Sequence, residues 1–116
     1  MTLEQFYSHI GSDYKQILQR LSSEMLIRKF AIKYSSDPTY QTLSDAIAAS
    51  DWETAFRAAH TLKGVALNLG FDHLNASASA LTEALRGPKP LTDFSLWTAV
   101  QESQQELISA LSALDA

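Results

Sequence analysis

The chain has 116 residues and no cysteine, with 13 acidic against 9 basic side chains and a net charge of −4. That length suits one domain with a working core and no disulfide braces, and no apolar run approaches the roughly 20 residues of a membrane span. An acidic chain without a basic cluster excludes phosphate-backbone binding as its main business. A hydrophobic content of 46% excludes a disordered polymer. Glu4, His9 and Asp13 interrupt any apolar leader. The expectation is a soluble, bacterial-type cytoplasmic protein with neither nucleic acid nor membrane as a partner.

Sixteen Ala and 16 Leu stand against 6 Ile and 2 Val, a choice that favours helices over strands. Thr2 and Gln5 predict a capping box for a short first helix ending near Gly11. A second segment runs from about Ser12 to Leu21, with Ile17, Leu18 and Leu21 on one side. After a start at Ser22–Ser23, Ile27, Phe30, Ala31 and Tyr34 are spaced for one helical face. Asp37–Pro38 reads as an N-cap followed by proline at the first helical position, and Tyr40, Leu43 and Ile47 form the next apolar stripe.

Ser50 and Glu53 predict a capping box, with Asp51 adding favourable charge at the helix start. The helix they open carries Trp52, Ala55, Ala59, Leu62, Ala66 and Leu69 at spacings of three and four, and Gly70 stands where a left-handed residue ends a helix. Asp72 is the expected cap of the next helix, with the stripe Leu74, Ala78, Leu81 and Leu85. Gly87–Pro88 ends it, and Pro90 keeps the connection extended. From near Thr92 the last helix repeats Trp97, Val100, Gln104, Leu107, Leu111 and Leu114 over roughly six turns. Short loops between long amphipathic helices make neighbours antiparallel. The predicted fold is all-α: an up-and-down four-helix bundle over about residues 22–115, capped by short N-terminal helices in 1–21, the whole chain 1–116 being one domain.

At 100° per residue, the apolar residues from Trp52 to Leu69 fall between about −80° and +20° of Ala59, whereas Phe56, His60, Lys63, Gly64 and Leu67 fall between about 40° and 140°. That second stripe flanks the core. An imidazole nitrogen is a nucleophile at neutral pH. Lys63, one turn on, sets a cation beside any anion that His60 carries. Gly64 costs roughly 1 kcal/mol against alanine in mid-helix, which makes sense if it clears space for a second molecule to approach His60. Phe56 and Leu67 supply apolar docking surface.

The run His60-Thr61-Leu62-Lys63-Gly64 with Gly70 at the helix end resembles the signature of histidine-containing phosphotransfer (HPt) domains, over about Trp52 to Arg86. Val65 departs from the pattern, where many members carry a smaller residue, but it points away from the His60 stripe. The resemblance implies a phosphocarrier in a multistep two-component phosphorelay, and not an enzyme with turnover of its own. His60 would take a phosphoryl group, commonly at Nε2, from a receiver-domain aspartate and pass it to another. Lys63 would stabilise the phosphoryl charge, Gly64 would give the receiver clearance, and Gly70 would be structural. The partners implied are response-regulator receivers, with a hybrid histidine kinase as a further candidate. No cofactor or metal is expected on this chain, because Mg²⁺ would belong to the receiver. No nucleotide-cradling glycine loop, hydrolase elbow or zinc spacing occurs.

Simpler readings compete with these. His60 could be an ordinary surface histidine, and the same face could regulate a receiver or kinase by occupancy without phosphotransfer. His73 reads as a partly exposed structural histidine and His9 as a surface residue. Trp52 and the Trp97–Leu114 stripe read as core. Leu107, Leu111 and Leu114 could instead form an exposed dimerising seam, but burial in a monomer is the simpler expectation.

Overall fold

A computed structural model describes residues 1–115. Seven α-helices follow one another: α1 (Leu3–His9), α2 (Tyr14–Leu21), α3 (Glu24–Lys33), α4 (Thr39–Ala48), α5 (Trp52–Leu69), α6 (Asp72–Leu85) and α7 (Ser95–Asp115), with a 3₁₀ turn at Tyr34–Ser36. None of them is long and apolar enough to cross a membrane. Helices α4 to α7 pack each against the next, as an antiparallel bundle with short connections requires.

The first wall of the bundle is two helices rather than one. Along α7, Arg28 of α3 reaches the Leu114 carbonyl at 3.3 Å, the Tyr34 hydroxyl donates to Gln104 at 2.6 Å, and Tyr40 of α4 stacks on Trp97 with centroids 5.6 Å apart. So α3 and α4 together run antiparallel to α7, broken at the 3₁₀ turn before Pro38, whose ring cannot continue a helix. The bond to Tyr34 also accounts for Gln104, the one polar member of the last stripe. Leu107, Leu111 and Leu114 are buried within the chain, so they are core and not an exposed seam.

Helices α1 and α2 cap one end. Gly70 ends α5 at φ 73°, and the Phe71 N–H bonds back to the Ala66 carbonyl at 2.8 Å. The last carbonyls of a helix lack intrahelical donors. Here Tyr7 of α1 donates to Leu69 at 2.7 Å and Arg20 of α2 to Leu67 at 2.6 Å. Ile17 lies so close to Gly70 that an added Cβ would come within 3.3 Å of it. Phe6, Tyr7, Tyr34 and Phe71 form a buried aromatic cluster beneath this cap.

Several expected details shift. Thr2 and Gln5 do form the capping box of α1. Asp51, not Ser50, caps α5, accepting from the Thr54 N–H at 3.2 Å. Ser50 instead closes α4 at φ 55°, because the chain must reverse within three residues. Pro38, not Asp37, occupies the cap position of α4, and Asp37 one residue earlier accepts from the Thr39 N–H at 2.8 Å. Phe71, not Asp72, occupies the cap position of α6; its ring is buried, and Ser12 supplies the missing acceptor to the Asp72 N–H at 3.0 Å. The last helix begins at Ser95, where Asp93 accepts from its N–H, rather than at Thr92. Phe30 is 37% exposed and stands outside the buried face that Ile27, Ala31 and Tyr34 share.

The bond from Thr54 holds the Asp51 carboxyl below the usual aspartate range. A folded-state value below the unfolded one means that the cap stabilises fully above the unfolded value and is lost as pH falls through the folded value. Asp51→Ala should therefore lower Tm by a few degrees at neutral pH and by much less in acid below both values, as read by thermal melts followed by circular dichroism.

Candidate functional site

Helix α5 buries Ala55, Ala58, Ala59, Leu62 and Ala66, while Trp52 and Leu69 are only partly covered. The flanking stripe emerges as the periodicity requires. His60 is exposed, Phe56, Lys63 and Gly64 are half-buried, and Leu67 is 51% exposed. The Phe56 and His60 rings stand 6.3 Å apart. Val65 lies on another side of the helix, in a groove with Phe30, Tyr34 and Pro38.

Gly64 has two possible reasons to be glycine: close packing inside the protein or clearance outside it. A Cβ built there meets nothing within 4 Å, and the backbone is ordinary helix. The fold therefore places no demand on the missing side chain. Gly11 is the contrasting case, since at φ 75° an added Cβ would collide with the His73 ring.

Across the turn at Gly70, α6 returns alongside the stripe. Asn75 donates to the Lys63 carbonyl at 3.1 Å, fixing the register of the two helices. At the far end of α6, the Arg86 guanidinium lies 5.4 Å from the Phe56 ring centroid, a cation–π distance. Glu83 receives two hydrogen bonds from Arg86, at 2.8 and 3.1 Å. These bonds, with the Arg86 charge and a smaller contribution from Lys63, hold the Glu83 carboxyl below its ordinary range. The sequence reading did not place Glu83 and Arg86 at the site. The signal was present: Arg86 and Phe56 lie nearly equidistant from Gly70 in a helical hairpin, and so face each other.

The other histidines lie elsewhere. His73 pairs through Nδ1 with Glu106 of α7 at 2.8 Å, a structural role that joins α6 to α7. His9 is an exposed residue at the end of α1. Among the described residues no three His, Asp or Glu side chains gather as a metal site would.

The fold is an antiparallel helical bundle whose central helix keeps His60 at the surface. The model of the Hpt domain family matches residues 33–116, most of the chain, and the chain belongs to that family. No curated protein and no solved structure gives a match. Membership makes this a phosphotransfer module of two-component signalling. Hpt domains in general carry phosphoryl groups rather than act as enzymes, and they interact with receiver domains and kinases.

If no internal contact requires Gly64, the helix itself should favour a larger residue. Gly64→Ala should raise stability by about 1 kcal/mol, seen as a higher urea midpoint at unchanged slope; a loss of stability would show a packing role instead.

Proposed function

We propose that this chain relays a phosphoryl group between receiver-domain aspartates, with His60 as the residue that carries it. The observation that carries the reading is the pairing of an exposed His60 with a Gly64 whose side-chain space is empty, on a helix whose opposite face is buried in the core.

The transfer follows from the chemistry of the groups. A ring nitrogen of His60, Nε2 by family resemblance, directs its lone pair at the phosphorus of an aspartyl phosphate. A P–N bond forms as the P–O bond breaks, and the carboxylate leaves on the receiver. The proton on the other ring nitrogen passes to solvent, which reaches the ring freely. The return step reverses this sequence with a second aspartate. The phosphoryl group in flight is loosely bonded and highly charged, so positioning and electrostatics supply most of the acceleration. Lys63 gives a cation one turn from the nucleophile. Phe56 and Leu67 give the receiver an apolar landing on either side, and Gly64 lets its surface come close. Mg²⁺ and the reacting aspartate belong to the receiver.

Incubation with a panel of phosphorylated receivers, read by intact mass and a phosphate-affinity gel, tests the assignment. Wild type should gain one acid-labile phosphoryl group, and His60→Gln should gain none while keeping its helical spectrum. Label on the variant would move the site elsewhere. Gly64→Gln should slow transfer from the receiver by at least tenfold without loss of fold; an unchanged rate would remove the clearance account.

A further inference from the structure

Beside the stripe, on α6, stands an acid for which a phosphoryl acceptor has no simple use. Glu83 projects from α6 and holds Arg86 by two bonds. Arg86 lies over Phe56, whose ring neighbours His60. Lys63 acts on the same carboxylate from α5, since it adds to the pull that keeps Glu83 ionised. Glu83 is thus the counter-ion of Arg86, a cation separated from His60 by the Phe56 ring. Both members of the Glu83–Arg86 pair are more than half exposed, at 62% and 53%. Pairs of that kind add little to folding, so the arrangement has no strong structural purpose.

We propose that Glu83 is a built-in competitor of the phosphoryl group: it occupies Arg86 while His60 is bare, and releases it when a phosphoryl dianion arrives. This rests on the reading of His60 as the phosphoryl carrier. Its consequence is a tuned affinity. A carrier that must give its cargo away cannot hold it too tightly, and a carboxylate that competes for the same cation weakens the grip. Arg86 then serves as a second phosphoryl-supporting cation beside Lys63. Freeing one solvent-exposed cation to act on a dianion across about 8 Å favours that dianion by roughly two- to fivefold, more at low salt than at high.

Potassium phosphoramidate tests this without a receiver, and so without any docking contact. The P–N bond to ammonia breaks, a P–N bond to His60 forms, and ammonia leaves. The full chain and its variants are compared by ³¹P NMR and intact mass, with thermal melts as the control for fold. Glu83→Gln should raise the fraction of phospho-His60 two- to fivefold in low salt, and the gain should shrink near 0.5 M salt. Arg86→Met should lower the fraction, and in that background the gain from Glu83→Gln should be markedly smaller, because the cation being competed for is gone. A Glu83→Gln fraction equal to wild type in low salt would overturn the proposal. So would a gain of the same size with and without Arg86, which would show plain repulsion instead of competition. A wild-type chain that takes no phosphoryl group, or one labelled equally in His60→Gln, would overturn the carrier reading itself, and this proposal with it.

Discussion

Helix α5 has to be gripped on several sides and left bare on one. Its buried face is nearly all alanine, with Ala55, Ala58, Ala59 and Ala66 around Leu62. Small side chains let neighbouring helices approach closely, since interaxial distance follows the residues at the contact. The grip comes from α4, α6 and α3. That packing supplies the stability that helix propensity alone does not, and it offsets the cost of Gly64. A side chain on a helix so held needs no loop to position it. The imidazole projects from a rigid rod whose register against α6 is pinned by Asn75.

Much of this was legible in the sequence, because the information lay in periodicity. The Leu and Ala spacing of α5, α6 and α7 marked their buried faces, and the same wheel separated His60, Lys63 and Gly64 from the core. Caps were less legible. Ser50 and Asp51 are both good cap residues, and the choice fell on Asp51 because the reversal after α4 put Ser50 in a left-handed conformation. Ser12 capping α6 was beyond local reasoning, since the acceptor lies 60 residues away in the chain. The break between α3 and α4 was signalled by Pro38, but only their shared alignment on α7 shows them to be one wall. Phe30 has helical spacing and still lies partly in solvent, for periodicity gives the phase of a face and not its width.

Two of the basic residues outside the site also find an explanation. Arg20 bonds carbonyls at the end of α5, and Arg28 bonds one at the end of α7. Cations suit helix C-termini, where unsatisfied carbonyls and the negative end of the dipole coincide. These two charges are thus spent within the fold, which fits a protein whose net charge is negative.

The stretch of chain that resembles its family and the stretch that packs together are not the same. The family match begins at Lys33, yet Leu3, Phe6, Tyr7, Ile17, Ile27 and Ala31 belong to the one core that runs on to Leu114. Tyr7 and Arg20 hold the final carbonyls of the helix that bears His60. A change in α1 or α2 therefore reaches the helix that bears His60 without touching that residue. It alters how readily the last turn of α5 frays, and so how firmly the exposed Leu67 is held. Residues outside the window of similarity thereby act as a remote adjustment of stiffness.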